Sequence, residues 1–425
     1  MVRIALAAVV ALGVSASAGA EDFALRDGDT VVFLGDSITA ARTYGRIVEQ
    51  YALLRFPERK ILFYNAGRGG DTAAGGLARM DRDVLPLKPT VLTVAYGVND
   101  IGWGTRADAE HKQAYLDGVR GIVEKARTAG CRVYVCSAAV TRSDPDKEDR
   151  GFLQTMCDEG MALARELGEH SIDVQRSMRE VQRRMIKANA AEDAKRADGS
   201  KKDEHTLHVA DGVHLNDEGQ LAMAFAILKG LGAPADVSAV TIDAAGPLAA
   251  RAEGCAVTNL AGDASKMTFD RLDQGLPLDL GLFGVLKYRF IPVHDQLARY
   301  MLTIKNLPEG EYAVTADGRG LGEWPASRLG EGVNITSATA DGWQPGGPWQ
   351  AAAWALASAT EARSKLSQVP PEIEIRLPES PIAADLDARV READARLRDV
   401  QRLLVAPRPF RFVVERVEKG NEEAR

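Results

Sequence analysis

The chain has 425 residues, of which 45% are hydrophobic and 27% charged, and its formal net charge is −7. This length exceeds what a single compact core usually holds, so at least two domains are expected. The acidic balance gives no reason to expect a nucleic-acid partner, and four cysteines are too few for a disulfide framework.

Residues 1–20 have the pattern of a secretory signal peptide. A basic start at Arg3 precedes the apolar residues 4–14, and small residues follow up to Ala20, after which cleavage is expected. We therefore expect an exported protein, either periplasmic or extracellular. No later segment approaches the roughly 20 apolar residues that a membrane-spanning helix needs, so an integral membrane protein is not expected.

Between residues 21 and 232, apolar strand-like runs alternate with helical patterns. The predicted strands lie at 30–34, 60–64, 90–96, 132–138 and 171–174. The predicted helices lie at 43–55, 74–85, 108–129, 148–168 and 217–230. This alternation is typical of a parallel sheet covered by helices on both faces. The predicted α/β fold is a flavodoxin-like three-layer α/β/α sandwich.

A serine follows the first predicted strand, where residues 35–38 read Gly-Asp-Ser-Ile. Ser37 is thus expected at the carboxyl end of a strand, where open α/β sheets bind their ligands. The segment is not the Gly-x-Ser-x-Gly elbow of the α/β-hydrolase fold. Ser37 is a candidate nucleophile, and the alternative is a turn in which Asp36 and Ser37 only cap the next helix.

Polar blocks also follow the second and third predicted strands. Residues 65–72 read Asn-Ala-Gly-Arg-Gly-Gly-Asp-Thr, and Gly70 there can bring its backbone N–H close to a substrate oxygen. Residues 97–100 read Gly-Val-Asn-Asp, and the Asn99 amide can donate to the same oxygen. With the N–H of Ser37 these donors would form an oxyanion hole, although each block alone is also typical of a turn.

A base and an orienting carboxylate are found far downstream, where residues 211–214 read Asp-Gly-Val-His. A serine hydroxyl becomes a good nucleophile when an imidazole takes its proton, and a carboxylate fixes the tautomer of that imidazole. The spacing of Asp211 and His214 lets one short turn present both groups. These two residues therefore complete a candidate triad with Ser37.

A metal site is the competing interpretation of this region. His205 and His208 precede Asp211 and His214 at intervals of three residues, and all four side chains are of types that bind zinc. Such a site would leave the serine, glycine and asparagine blocks unexplained. We therefore favour a serine site without a metal ion, with His205 and His208 as partly exposed loop residues.

In chain order, the four blocks at 35–38, 65–72, 97–100 and 211–214 resemble the motif blocks of the SGNH hydrolase, or GDSL-type esterase/lipase, superfamily. The resemblance covers residues 21 to about 232 and implies ester hydrolysis through an acyl-enzyme, with no cofactor. The roles that it implies are nucleophile for Ser37, base for His214, partner of the base for Asp211, and oxyanion donors for Gly70 and Asn99.

The segment 176–204 precedes the Asp-His block. A basic helical stretch at 179–187 leads into a charged run at 191–203 that lacks an apolar face. Such a run is usually a solvated loop, which is our prediction. Its position directly before Asp211 makes a lid over the site the alternative.

Residues 235–425 are predicted to form a second, smaller domain. Its β-favouring runs are at 287–292, 300–304 and 312–315, and they predict a small antiparallel β domain. Two helical patterns at 349–366 and 383–404 are expected to pack as a hairpin, and a late strand at 410–414 is expected to rejoin the sheet.

The tryptophans and cysteines give weaker indications. Trp103, shortly after Asn99, is a candidate wall for the substrate. Four tryptophans of the second half are more often core residues, but exposed ones can stack on sugar rings; they are Trp324, Trp343, Trp349 and Trp354. The four cysteines are predicted to be buried thiols, with one disulfide as the alternative; they are Cys131, Cys136, Cys157 and Cys255.

The sequence therefore predicts an exported serine esterase whose partner is a small-molecule or polysaccharide ester. Export and a tryptophan-rich second half favour a short-chain acetyl esterase acting on O-acetylated carbohydrate. A lipid esterase or thioesterase is the alternative among hydrolases. A carbohydrate-binding protein that retains the scaffold without the chemistry is the alternative outside them.

Overall fold

The computed structural model describes residues 23–195, 204–377 and 381–418. The predicted signal peptide, residues 1–20, lies outside the described residues. A parallel sheet of five strands organises the first half, in the order β2-β1-β3-β4-β5. Its strands are β1 (Thr30–Gly35), β2 (Leu62–Gly67), β3 (Val91–Ala95), β4 (Arg132–Cys136) and β5 (His170–Ile172). All five predicted strands are confirmed, and β2 extends three residues beyond its predicted end.

Helices cover both faces of this sheet. They are α1 (Ser37–Ala40), α2 (Thr43–Arg55), α3 (Ala73–Ala78), α4 (Ala109–Thr128), α5 (Pro145–Glu148), α6 (Phe152–Glu166), α7 (Val174–Asp193) and α8 (Asp217–Gly230). Alternate residues of β1 point into different cores, because Val31 and Phe33 pack in one hydrophobic cluster and Val32 and Leu34 in the other. The three-layer α/β/α sandwich is therefore confirmed.

Helix α7 confirms the predicted helical stretch at 179–187 and corrects the loop prediction at the start of the charged run, where residues 191–193 are helical. The helix continues to Asp193, well beyond the basic stretch at 179–187. Its buried side chains follow a helical spacing that we did not use; they are Val174, Met178, Val181 and Met185. Residues 196–203 of the same segment lie outside the described residues.

The second half contains two further sheets. Its strands are β6 (Asp236–Asp243), β7 (Ala249–Glu253), β8 (Cys255–Gly262), β9 (Lys266–Asp273), β10 (Arg299–Lys305), β11 (Glu311–Ala316), β12 (Arg319–Pro325), β13 (Val333–Asn334) and β14 (Pro409–Arg416). The sheet β12-β11-β14-β9-β8 is antiparallel throughout, as predicted. The sheet β13-β10-β6-β7 is mixed, because β6 and β10 pair in parallel.

The helices of this half are α9 (Gly281–Lys287), α10 (Val293–Gln296), α11 (Ala326–Glu331), α12 (Trp349–Leu366), α13 (Val369–Arg376) and α14 (Ile382–Leu404). The predicted helices at 349–366 and 383–404 and the strand at 410–414 are confirmed. The β-favouring run at 287–292 is not a strand: Lys287 ends α9, and the residues after it form a turn that buries Phe290 and Ile291 in the core. A short apolar run fits a buried turn as well as a strand.

The two halves share one hydrophobic cluster. It extends from Phe23 and the β1 face to Phe412 of the antiparallel sheet. Helix α12 packs against α2 of the first half as well as against α14. Within the described ranges, no helix combines the length and apolarity needed to cross a bilayer.

The cysteines are all buried, whereas the tryptophans of the second half differ in exposure. All four cysteines are buried and unpaired, so the predicted thiols are found and the disulfide alternative is not. Trp349 is a core residue, and its Nε1 donates to the Thr336 carbonyl oxygen at 2.8 Å. Trp343 and Trp354 are exposed, at 82% and 70%, so the prediction of core packing is wrong for these two.

Candidate active site

Ser37 lies directly beyond β1, an interior strand of the parallel sheet. β1 ends at Gly35, and the Asp36 carboxylate caps α1 by accepting the Ile38 N–H at 2.9 Å. Ser37 is the first residue of α1 and is half-buried. Its Oγ lies 2.8 Å from Nε2 of His214. Asp36 therefore caps the helix, whereas the Ser37 hydroxyl contacts an imidazole.

One turn presents the imidazole and its carboxylate together. Asp211 Oδ2 lies 2.6 Å from His214 Nδ1, and Asp211 Oδ1 accepts the backbone N–H groups of Val213 and His214, each at 2.9 Å. The hydrogen bond from His214, with these two N–H groups, lowers the pKa of Asp211 to about 2. An ionised Asp211 accepts a hydrogen bond from Nδ1–H of His214, so Nε2 is left to accept the hydroxyl proton of Ser37.

Backbone contacts hold this turn against the sheet. Arg142, in the loop after β4, donates its N–H to the Gly212 carbonyl oxygen at 2.7 Å. The Val209 N–H donates to the His214 carbonyl oxygen at 2.9 Å. On the other side, Gln220 of α8 accepts the N–H of Tyr44 at the start of α2. These links explain how residues 177 positions apart meet across one hydrogen bond.

Gly70 lies in the turn after β2. Its φ of +72° is in the left-handed region, which favours glycine over any residue with a Cβ. It is exposed, and among the described residues its N–H has no hydrogen-bond acceptor. The N–H is therefore available to a substrate oxygen.

Asn99 lies in the loop after β3, with its amide fixed at both ends. Its Nδ2 donates to the Asp71 carbonyl oxygen and its Oδ1 accepts from Trp103 Nε1, both at 2.9 Å. The second proton on Nδ2 remains available for another acceptor. Asp71 directly follows Gly70, so the second and third blocks are hydrogen-bonded to each other.

Trp103 lies beside the imidazole. Its ring contacts the His214 ring edge-on, with the centroids 5.7 Å apart, and the residue is 50% exposed. Its φ of +57° is unusual for a bulky side chain and costs about 1 kcal/mol or more. The hydrogen bond to Asn99 holds the indole next to the imidazole despite this backbone strain.

Residues 33–222 match the GDSL-like Lipase/Acylhydrolase family. These residues form a GDSL-like lipase/acylhydrolase domain, the domain type of the SGNH hydrolase superfamily. Domains of this family hydrolyse ester bonds, and the match supports an ester-hydrolysing enzyme. All four sequence blocks lie within the matched region, which covers most of the three-layer sandwich described above.

Two solved structures are similar to this chain over different shares of its length. A gut microbial diltiazem-metabolizing enzyme is similar over 92% of this chain and 98% of its own, with a TM-score of 0.73 and 21% identity. An acetylxylan esterase from Geobacillus stearothermophilus is similar over 49% of this chain and 96% of its own, with a TM-score of 0.40 and 21% identity. A search of curated protein sequences gives no match. The first similarity shows that the fold of both halves recurs together.

Two buried carboxyl groups lie behind the nucleophile of this SGNH hydrolase, and sequence reasoning missed both. Burial raises the pKa of Asp36 to about 6, against the opposing effects of the Ile38 N–H and His214. Burial likewise raises the pKa of Asp100 to about 6, although its Oδ1 accepts the Ala73 N–H. No local pattern marked either burial, because Gly35 and Ser37 flank Asp36, and Asn99 and Ile101 flank Asp100.

The raised pKa of Asp36 predicts a pH-dependent effect of Asp36→Asn on stability. Between pH 4 and pH 7 the unfolded chain loses the Asp36 proton before the native protein does, so wild-type stability falls as the pH rises. Asparagine does not titrate and keeps the capping oxygen. The variant's advantage in unfolding free energy over wild type should grow by about 2 kcal/mol across this range. Urea unfolding at both pH values measures it, and a difference independent of pH would contradict it.

Of the two histidines predicted to be partly exposed, His205 is so, and the prediction is wrong for His208. His208 is buried, with Nε2 2.9 Å from the Val140 carbonyl oxygen, and burial lowers its pKa. The His205 ring packs against Phe290, at 4.9 Å between centroids. The part of the chain that the structure describes contains no group of three or more His, Cys, Asp or Glu side chains suited to a metal ion. The metal interpretation therefore has no ligand set there.

Proposed function

We propose that this SGNH hydrolase is a serine esterase with Ser37 as nucleophile, His214 as general base and Asp211 as the residue that orients the base. The observation that carries the proposal is the continuous chain of short contacts, 2.8 Å from Ser37 Oγ to His214 Nε2 and 2.6 Å from His214 Nδ1 to Asp211 Oδ2. A serine that only caps a helix does not require a hydrogen bond to an imidazole that is itself bonded to a carboxylate. A general base needs this geometry.

Acylation follows from these contacts. The Ser37 oxygen attacks the ester carbonyl carbon while Nε2 of His214 takes the hydroxyl proton. Negative charge develops on the carbonyl oxygen and is stabilised by the N–H groups of Ser37 and Gly70 and the Asn99 amide. The intermediate then expels the alkoxide, which takes the proton from His214 and leaves as the alcohol.

Deacylation repeats the same steps with water. His214 removes a proton from a water molecule as its oxygen attacks the acyl carbon. Collapse of the second tetrahedral intermediate releases the acid, and the proton returns to the Ser37 oxygen. Asp211 stabilises the imidazolium in both halves of the reaction. No step requires a cofactor.

The surroundings of the triad favour a short acyl group on a large polar partner. Gly70 and much of Trp103 are exposed, so an ester projecting from a polymer can reach the serine without entering a deep channel. A long acyl chain would need a buried apolar surface to repay its transfer from water. The exposed Trp343 and Trp354 offer flat faces for sugar rings. We therefore propose deacetylation of O-acetylated carbohydrate by an exported enzyme.

The experiment that tests this function measures acid release from esters of increasing acyl length and from acetylated polysaccharides. The expected result is turnover of acetyl esters that falls steeply with chain length, together with acetate release from a polysaccharide. A preference for long acyl chains would favour the lipid esterase instead. Glycan binding without any ester turnover would overturn the proposal in favour of a binding protein.

Asn99→Ala should lower kcat by about a hundredfold or more, since it removes an oxyanion donor that acts mainly in the transition state. KM for a short-chain ester should change little. Trp103→Phe is the matched control, because it removes the indole hydrogen bond to Asn99 while keeping an aromatic wall. Equal losses in the two variants would show that Asn99 only holds the tryptophan.

A further inference from the structure

We propose that Arg79 is a positioning residue that holds the three segments of the oxyanion hole in place. The inference rests on the proposed function. Arg79 lies between the end of α3 and a π-helical turn at Met80–Val84, and it is only 6% exposed. Single π-helical turns occur frequently at functional sites. Arg79 belongs to none of the four sequence blocks.

The guanidinium of Arg79 contacts all three strand ends that carry the donors. Its Nε donates to Asp71 Oδ2 at 2.8 Å, in the loop after β2. Its Nη2 donates to the Tyr96 hydroxyl at 2.9 Å, just after β3, and to the Gly35 carbonyl oxygen at 3.3 Å, at the end of β1. The Tyr96 hydroxyl also donates to Asp71 Oδ2 at 3.0 Å, which closes the network.

Each proposed donor is close in sequence to one of these contacts. Gly35 precedes Ser37 by two residues, and Asp71 directly follows Gly70. The third donor, Asn99, is held by the carbonyl oxygen of the same Asp71. A displacement of Asp71 would therefore shift two donors at once, the Gly70 N–H and the Asn99 amide.

The three acceptors, on Asp71, Tyr96 and Gly35, require several N–H donors held in fixed directions. One planar guanidinium presents several N–H groups in fixed directions, whereas a lysine ammonium is a compact charge on a flexible stem. The neighbouring Gly76 allows this packing, because a Cβ there would lie 2.5 Å from the Tyr96 hydroxyl. The buried ion pair of Arg79 and Asp71 thus fixes geometry that neither partner could fix alone.

The test is Arg79→Lys, which keeps the positive charge and loses the fork. A donor misplaced by about 1 Å can cost a hundredfold in rate, so kcat should fall by about that factor while KM for a short-chain ester stays within about twofold. Affinity for an alkylboronic acid, which forms a tetrahedral adduct with the serine oxygen, should fall in parallel. A purely structural role would not move these two readouts together.

The matched control is Arg132→Lys. Arg132 begins β4, at the amino ends of the strands and away from the site, and it pairs with both carboxylate oxygens of Asp29. The substitution should lower the melting temperature and leave kcat and boronate affinity unchanged. If Arg79→Lys does not fold, Tyr96→Phe removes the hydroxyl between Arg79 and Asp71 and should give a smaller loss in the same two readouts.

Two results overturn the inference. Wild-type kcat and boronate affinity in a folded Arg79→Lys or Tyr96→Phe variant would show that the network does not position the donors. An equal loss of kcat in Arg132→Lys would show a general effect of destabilisation. In both results the wild-type protein is active, so they differ from failure of the proposed function, in which wild type neither turns over esters nor binds the boronate.

Discussion

Ser37→Ala should lower kcat/KM for an acetyl ester by at least about four orders of magnitude, because it removes the atom that bonds to the acyl group. The triad acts as a unit, so the double variant with His214→Ala should be hardly less active than Ser37→Ala alone. The measurement is hydrolysis of a chromogenic acetyl ester, with mass spectrometry of a serine-reactive phosphonate adduct. The adduct should be present in wild type and absent from Ser37→Ala.

Ser143→Ala is the matched control for this loss. Ser143 is also half-buried, but its hydroxyl lies 2.8 Å from Thr141 Oγ1 and not from an imidazole. Its removal should leave turnover within about twofold of wild type, as expected of a substitution outside the reacting groups. Turnover that survives in Ser37→Ala would place the chemistry at another residue and end the proposal.

Arg363→Met should destabilise the protein by about 3–5 kcal/mol, because it leaves a buried carboxylate without its cation. Arg363 of α12 is 8% exposed and contacts Glu49 of α2. It also donates to Asp394 Oδ1 at 2.8 Å and to Gln401 Oε1 at 2.9 Å, both on α14. Burial raises the pKa of Glu49 even with Arg363 present. Without Arg363 that pKa should rise further.

Urea unfolding at several pH values measures this effect. An unfolded glutamate ionises near pH 4, so the deficit should be largest near neutral pH and shrink as Glu49 becomes protonated at lower pH. The double variant with Glu49→Gln should recover much of the loss, since it removes the unpaired charge. Arg389→Met, which breaks an exposed ion pair with Asp385 on α14, should cost less than about 1 kcal/mol. Equal losses at Arg363 and Arg389 would contradict the prediction.

The sequence identified those parts of the site that lie in short local motifs. Ser37 follows a strand and Asp211 precedes His214 by one turn, so spacing alone marked both as candidates. Arg79 carried no such signal, because its partners come from three strands and meet only after the sheet has formed. Asp36 was interpreted only as a cap, since burial depends on helices that pack later.

The fold was predictable where hydrophobic spacing was long and regular. The strands of the first sheet and helices α12 and α14 are of this kind. In α7 the charged residues between Val174 and Met185 obscured an apolar stripe. At 287–292 the apolar run was too short to separate a strand from a buried turn. The parallel pairing of β6 with β10 depends on the order of strands in space, which no local pattern records.

Helix α2 has almost no face in contact with water: of its thirteen residues, only Thr43 and Arg46 are not buried. α8 covers one side and α12 another, and the Leu276 N–H donates to the Leu54 carbonyl oxygen at its end. A protein shortened after residue 232 would therefore lack α12, the helix that covers α2. Apolar side chains of α2 and the Glu49 carboxylate would become exposed to water. Recombinant work on the esterase half should keep both halves in one polypeptide.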